Sequence, residues 1–491
     1  MEYTVALVLT IVFIFLSWLW EKTRREKQWP PGPPTIPFVG NLNINMADLL
    51  TEFKKLRQQY GDVYSLVLGS QTVIVVNGLD TLKELFIKHG DVVSNRSDSI
   101  IISKISEYKG IAGSSGSLWK EHRTFALSTL RDFGFGRRSM EVKIVEEVEA
   151  FLASISSTNG QPFNISPLLH TSVSNVVCSV AFGRRFEHDD THFKELTNAI
   201  SENLSNSTIS GVLTFLPFLR FIPGDPFKYG KVMANVKKVY SYIQRVIDEH
   251  KQSFDKDKDE ATNYLDVYLK RQQQDNGTES TFTDDQLHRS ISDLFVAGTE
   301  TTSTALRWFT LTVLHKPEIQ ERMRAEIRKE IGESKLPSMA DRSKLPYCDS
   351  VIHEVLRFGN IAPLSVPHGL TEDLQFRGFL IPKHAMLMPN LDSVLNDPEI
   401  FENPSEFIPT RFLSADGTLT GTEKVHTFGI GRRICLGESL ARMELFLFAT
   451  SMIQRFTLLP ADGHSLPSLS KYKLGVTRQP LEFNFIAKQC E

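Results

Sequence analysis

The sequence predicts a mostly α fold with a small β portion, preceded by one N-terminal transmembrane helix. Three observations predict it. Apolar residues recur at helical spacing near 141–156, 190–204, 229–254 and 283–330. Alternating apolar stretches flank turn residues between 63 and 76, and strand signals return near 371–388 and after 455. The chain begins with an uncharged apolar run from Tyr3 to Trp20. Over 491 residues, 41% hydrophobic and 23% charged, no internal repeat or low-complexity linker divides the body of the chain. A formal net charge of -3 argues against nucleic acid as a main partner. The four cysteines, Cys178, Cys348, Cys435 and Cys490, are far apart and form no CxxC pair. That usage suits a reducing compartment and no disulfide framework.

In chain order, residues 3–20 come first. At about 1.5 Å per residue they just span a roughly 30 Å hydrocarbon core. Trp18 and Trp20 stand where an interfacial aromatic belt belongs, and Lys22, Arg24, Arg25 and Lys27 follow. The positive-inside rule then puts the rest of the chain in the cytosol. A cleaved signal peptide is the competing reading, but the start is Met1-Glu2 and the exit is bulky rather than small. On this topology the sequons at Asn95, Asn164, Asn203, Asn206 and Asn276 are incidental. Residues 21–40 combine the basic stop with Trp29-Pro30-Pro31-Gly32-Pro33-Pro34 and Pro37, a stiff extended spacer. The remainder, 41–491, reads as one large unit. Within it, 47–60 has helical periodicity, and 63–68 and 72–76 form a hairpin around Gly69-Ser70. Residues 255–275 are polar and read as an exposed helix–helix connection.

The segment 283–314 reads as one long helix. Thr283 caps it, Asp284 and Asp285 fill its first turn, and Lys316-Pro317 stops it. Its middle, Ala297-Gly298-Thr299-Glu300-Thr301-Thr302, is locally weak, because glycine and threonine are poor helix formers. A close helix crossing over small residues is the alternative reading. Further on, Glu354 and Arg357 share one helix face, and Pro409-Thr410-Arg411-Phe412 follows.

Phe428-Gly429-Ile430-Gly431-Arg432-Arg433-Ile434-Cys435-Leu436-Gly437 is the most informative stretch. It places one cysteine in a glycine-rich loop that leads into a helix. A thiolate there is stabilised by the helix dipole and free backbone N–H groups. Glycines let the backbone approach a large flat ligand. A haem with an axial cysteine needs both, and thiolate donation favours O–O cleavage. The bland alternative is a buried structural cysteine beside a turn.

These residues resemble the cytochrome P-450 family, and the resemblance covers nearly the whole chain in order. It implies the P-450 fold and makes 41–491 a haem-thiolate catalytic domain. The proline stretch resembles the hinge of the microsomal drug-, steroid- and fatty-acid-oxidising branch. Cys435 is then the axial ligand of the iron of haem b, with Phe428, Gly429 and Gly298 beside the cofactor. Arg96, Trp119, Arg123, His368 and Arg433 correspond to the haem-propionate ligands. Ala297-Gly-x-Glu-Thr matches the oxygen-activation motif, in which Thr301 hydrogen-bonds the activated oxygen and Glu300 relays protons. Glu354, Arg357 and Arg411 correspond to a structural triad that locks the haem-side core. Thr410 stands where the family often has glutamate.

The same resemblance implies a monooxygenase of lipophilic small molecules. No Gly-x-Gly-x-x-Gly dinucleotide fingerprint follows a strand, so electrons come from elsewhere; the resemblance implies an NADPH-dependent P-450 reductase as the donor, with cytochrome b5 as a further candidate. Lys120, Arg131, Arg137, Arg138, Lys424 and Arg432 would dock such an acidic partner. Endoplasmic-reticulum membrane is the implied location. Pocket walls fall at Ile100–Ile105 (with Ile101), Val212–Phe215, Phe295, Ala297, Ala362, Leu364, Val366 and Leu474–Val476 (with Val476). Two other classes stay open: a reductase-independent hydroperoxide isomerase or dehydratase, and a non-enzymatic haem-thiolate sensor.

Overall fold

The computed structural model describes residues 2–22, 26–36, 40–41, 44–69, 71–134, 138–256, 260–275, 280–463 and 465–490. Sheet and helices segregate as expected. The helices, in chain order, begin with α1 (Glu2–Lys22), α2 (Leu49–Tyr60), α3 (Leu79–Lys83) and α4 (Ile100–Ile105). Then come α5 (Gly116–Asp132), α6 (Arg138–Ser156), α7 (Ser166–Ala181), α8 (Thr191–Ser205) and α9 (Ser207–Phe215). The series closes with α10 (Tyr229–Ser253), α11 (Tyr264–Gln274), α12 (Asp284–His315), α13 (Pro317–Glu330), α14 (Pro346–Gly359), α15 (Asp392–Leu395) and α16 (Glu438–Arg455).

The larger sheet has strands β1 (Val63–Leu68), β2 (Gln71–Val76), β3 (Asn95–Arg96), β4 (His368–Gly369) and β7 (Met386–Pro389), in the order β1-β2-β7-β4-β3. β1 and β2 form the antiparallel hairpin, with Val63 opposite Val76. β2 runs parallel to β7. Strands β5 (Leu374–Phe376) and β6 (Phe379–Ile381) make a small ribbon. β8 (Phe456–Pro460) pairs with β11 (Phe485–Gln489), and β9 (Tyr472–Leu474) with β10 (Arg478–Pro480).

α12 forms as its sequence dictates. The Thr283 side chain accepts a hydrogen bond from the Gln286 N–H at 3.2 Å, and two aspartates meet the positive end of the dipole. The helix stops before Lys316-Pro317 because a residue preceding proline is steered out of helical backbone. Its C-terminal half is buried on every side, as is most of α16, which marks both as central helices. The main core fills the space between α6, α7, α12, α14 and α16, with Trp308, Phe309, Phe151 and Phe448 among its residues.

One expectation is corrected. The polar stretch 255–275 is not one exposed connection. Asn263 caps α11 by accepting from the Asp266 N–H, and Tyr264, Leu265, Tyr268 and Leu269 are fully buried in a second core. The overall polarity of the stretch masks four apolar residues at helical spacing. The proline segment is extended and is also fastened to the hairpin. Ser65 N–H and Oγ donate to the Pro31 and Pro30 carbonyls at 2.7 and 2.6 Å, and Trp29 is buried.

The apolar N-terminal run is helical over all of α1. Among the described residues, no helix is long and apolar enough to cross a membrane. The side chains of Trp18 and Trp20, and residues Arg24 and Arg25, lie outside the described set. So do Arg137, Asn276 and the side chains of Arg138 and Ile101.

Candidate active site

Cys435 lies just before α16, and its N–H donates to the Phe428 carbonyl at 2.9 Å. That bond folds the loop back on itself. Gly431 sits at φ +85°, and a Cβ there would come within 2.2 Å of the Phe86 carbonyl oxygen, so only glycine fits. Cys435 is solvent-accessible, yet protein surrounds its thiol on most sides. Such a thiol lines an internal face. Burial pushes it up, against a Gly437 N–H and the Arg123 charge, which favour the thiolate.

Three guanidinium groups converge nearby. Arg433 lies over the Trp119 ring at 3.9 Å and donates to the Ser94 and Ser114 carbonyls at 2.8 and 2.6 Å. Arg96 donates to the Ala112 carbonyl at 2.8 Å and to the Val366 carbonyl at 3.1 Å. Arg123 donates to the Ile434 carbonyl, next to the cysteine. Burial, then Arg96 and Arg123, pushes Arg433 down to about 8. A guanidinium does not give up its proton in practice. Burial and two like charges disfavour the Arg433 cation, and an anion at this cluster would relieve both. Trp119 adds an indole N–H that is buried without a hydrogen-bond partner.

α12 supplies the other wall. Ala297 is exposed in mid-helix, while Thr299 and Glu300 are fully buried. The Thr301 hydroxyl is half-buried and donates to the Ala297 carbonyl at 2.8 Å. The turn is regular helix despite its poor helix formers. Gly298 marks a helix crossing: a Cβ would meet Val177 Cγ2 of α7 at 2.5 Å. Glu300 turns inward. Its Oε1 accepts from Gln479 at 2.7 Å and from Thr304 at 3.2 Å, and its Oε2 lies 3.5 Å from His170 Nε2. Burial, against the Arg307 charge, pushes the Glu300 carboxyl up to about 7.

The chain matches the cytochrome P450 family model over residues 30–486. It is 38% identical over 488 residues to cytochrome P450 2H2 of Gallus gallus, covering 98% of each chain. It is 39% identical over 466 residues to cytochrome P450 2C8 of Homo sapiens, covering 94% of each, and 37% identical over 490 residues to cytochrome P450 2B19 of Mus musculus, covering 98% of this chain and 99% of that one.

The chain belongs to the cytochrome P450 family. It is a P450 monooxygenase, and the family implies haem held by a cysteine thiolate.

The residues present fit that group. A thiol on an internal face, three clustered arginines and one orphaned indole N–H suit an iron and two propionates. Gly429 leaves open space: a Cβ there would have only the Ile434 Cα, at 4.0 Å. His368 is placed differently from the sequence expectation. Its Nδ1–H donates to the Val93 carbonyl at 2.8 Å. Burial, then Arg96, pushes it down to about 3, so the ring is neutral and its N–H is committed. Phe295 is a correction among the pocket walls. It is 1% exposed and packs against Phe182 and Phe193 in the second core. Ala362 and Leu364 are half-buried, and Val366 and Val476 are exposed.

Glu354, Arg357 and Arg411 are brought together. Both Glu354 oxygens accept from Arg357 at 2.7 Å, and Oε1 also accepts from Arg411 Nε at 3.2 Å. Of the basic surface residues, Lys120, Arg131 and Lys424 are exposed, whereas Arg432 is paired with Asp91. Sequence reading missed Asp293, one turn before Ala297, and the Glu300 partners His170 and Gln479.

Proposed function

We infer that Cys435 is the axial haem ligand of a monooxygenase acting on lipophilic xenobiotics, steroids or fatty acids. The accessible thiol, enclosed by protein at the start of α16, carries this reading. When bound, the haem supplies dioxygen reduction and transfer of one oxygen atom to substrate. Arg96, Arg123, Arg433 and Trp119 would hold its propionates by charge-assisted bonds. Ala297, Ala362, Val366 and Val476 offer an apolar surface to substrate, which suits a lipophilic molecule and excludes water.

Thr301 holds a hydroxyl proton on the Ala297 carbonyl and can turn it toward the reacting oxygen. With its proton affinity raised to about 7, the Glu300 carboxyl gains and loses a proton readily at neutral pH. That is the property a proton relay needs. Electrons come from an NADPH-dependent flavoprotein reductase, with cytochrome b5 as a second donor, docked on the basic face that includes Lys120 and Arg131.

Membrane attachment is supported by α1 and by a second apolar patch. Phe218, Phe221 and Ile222 are 62%, 73% and 43% exposed just after α9. The hairpin turn at Gly69 packs against the Phe215 carbonyl, and the proline segment hydrogen-bonds the same hairpin. The proline segment and the residues leading into the apolar patch therefore adjoin the same hairpin, which supports attachment at the cytosolic face of the endoplasmic-reticulum membrane.

The test is the visible spectrum of the reduced, carbon-monoxide-bound protein beside Cys435→Ala. A strongly red-shifted Soret band that the variant loses is the expected result. An imidazole-type band in the wild type sinks the assignment. Reductase-dependent NADPH consumption with oxygenated product separates the monooxygenase from an isomerase or a sensor.

A further inference from the structure

Strand β11 ends beside a small basic cleft. Cys490 lines it with Arg324 and Arg328 of α13, Glu333, and Gln454 and Arg455 at the end of α16. The cleft has a volume of about 190 Å³. Strand pairing explains why these residues meet. Gln489 of β11 stands opposite Phe456 of β8, and the Cys490 N–H donates to the Arg455 carbonyl at 2.9 Å. That bond fixes the Cys490 backbone against the last residue of α16. The thiol is half-buried and lies 3.6 Å from the Thr457 hydroxyl.

Two features of the cleft suit an anionic ligand that carries amide groups. Its three arginines stand against one carboxylate. Arg328 is paired with that carboxylate, Glu333, at 2.5 Å, and Arg324 is committed to the Ile453 and Phe456 carbonyls at 3.2 and 2.9 Å. Arg455 is exposed and, among the described residues, has no acidic partner. Gln454 is 8% exposed. Its amide nitrogen donates to the Gly332 and Lys335 carbonyls at 2.9 and 2.8 Å, while its Oε1 is buried without a partner. A buried acceptor with nothing to accept is uncommon, and it asks for a donor N–H. The other thiols do not compete. Cys178 and Cys348 are fully buried, and burial pushes both well up. A cysteine attacks only as the thiolate, so both are inert. Cys435 belongs to the haem site.

We propose that Cys490 is a mixed-disulfide site: the cleft recognises an anionic, peptide-bearing disulfide, of which glutathione disulfide is the cellular example. Arg455 meets a glutathione carboxylate, and Gln454 Oε1 accepts a peptide N–H. Glutathione disulfide is the oxidant. The Cys490 thiolate attacks one of its sulfurs, and a Cys490–glutathione S–S bond forms as the old S–S bond breaks. The released glutathione thiolate takes up the proton that Cys490 gave up. The protein thiol is oxidised and one glutathione is reduced, so atoms and electrons balance. The cleft shares no residue with the haem site, so the adduct forms on the holoenzyme.

Mass measurement of the holoenzyme and of its peptides, after exposure to glutathione disulfide, tests the site. Uncharged hydroxyethyl disulfide is the comparison probe. One adduct is expected, on Cys490. With each rate scaled to that of a free cysteine peptide, it should form about tenfold faster with glutathione disulfide than with the uncharged probe, the low end of electrostatic rate enhancement. Arg455→Gln, an exposed position, is expected to remove most of that preference and leave the rate with the uncharged probe unchanged. Added salt should erode the preference in the same direction. Cys490→Ser is expected to carry no adduct. A merely exposed thiol would take both probes at peptide-like rates, with no effect of Arg455→Gln. That outcome overturns the proposal, as do no adduct, an adduct on another cysteine, or a disulfide-linked dimer in place of the adduct.

Discussion

Arg433 stacks on Trp119, 3.9 Å from the ring centroid, and the indole N–H of that ring is buried with no partner. The pair joins a cation lacking an anion to a donor lacking an acceptor. One carboxylate satisfies both. Arg433→Leu and Trp119→Phe are each expected to weaken haem retention by about ten- to hundredfold, in line with about 1.5–3 kcal/mol for a charged hydrogen bond. Transfer of haem to an excess of apo-globin measures this. Unchanged transfer rates in both variants would remove the pair from the cofactor site.

Arg357 donates all five guanidinium N–H groups. Two go to Glu354, and the others to the carbonyls of Leu395, Pro404 and Glu406. Both side chains are fully buried. Arg357→Lys keeps the charge and loses the fork, and Glu354→Gln leaves two arginines without a counter-charge. Each is expected to cost about 3–5 kcal/mol, the usual result of breaking a buried pair. Urea denaturation followed by fluorescence reads the loss. A cost below about 1 kcal/mol would show the network to be dispensable.

Gly298→Ala drives a methyl group into Val177 Cγ2 where α7 crosses α12. Overpacking of this kind costs about 1–3 kcal/mol. Val177→Ala in the same chain should restore most of it, because the two sites share one contact. Additive losses in the double variant would mean that the crossing does not explain the glycine.

Three buried carboxyls shape the pH dependence of stability. Burial pushes Asp293 up to about 6, Glu300 to about 7 and Glu444 to about 8. In the unfolded chain such groups titrate near about 4. Between those limits the folded state holds more protons than the unfolded one, so stability falls as pH rises. Their favourable contribution is complete below about pH 4 and lost above about pH 8. Melting temperatures recorded from pH 5.5 to 8.5 should therefore decline, and Glu444→Gln should flatten the upper part of the curve. A rising curve in that window contradicts the assignment.

Membrane contact has its own test. A chain lacking residues 2–22 is expected to keep part of its affinity for phospholipid vesicles through Phe218, Phe221 and Ile222. Serine at Phe218 and Phe221 should then release it, since each exposed aromatic side chain contributes about 1.5–3 kcal/mol on burial. Vesicle flotation distinguishes the outcomes, and full release by truncation alone would exclude the patch.

The sequence by itself determined the fold class, the family and the order of the motifs. Helix periodicity, proline and glycine punctuation and the ten residues around Cys435 are local signals, and local signals survive without coordinates. Thr283 could be named as a cap because capping involves neighbours only three residues apart. Tertiary structure decided what each residue meets. It turned Glu300 onto Gln479 and His170, committed the His368 N–H to Val93 and buried Phe295 in a core. It also brought Asp293 to a loop 182 positions away. Those partners are distant in sequence, and the physical terms that matter there are desolvation and packing at long range. Neither can be read from spacing, because each depends on which side chains the folded chain places within a few ångströms.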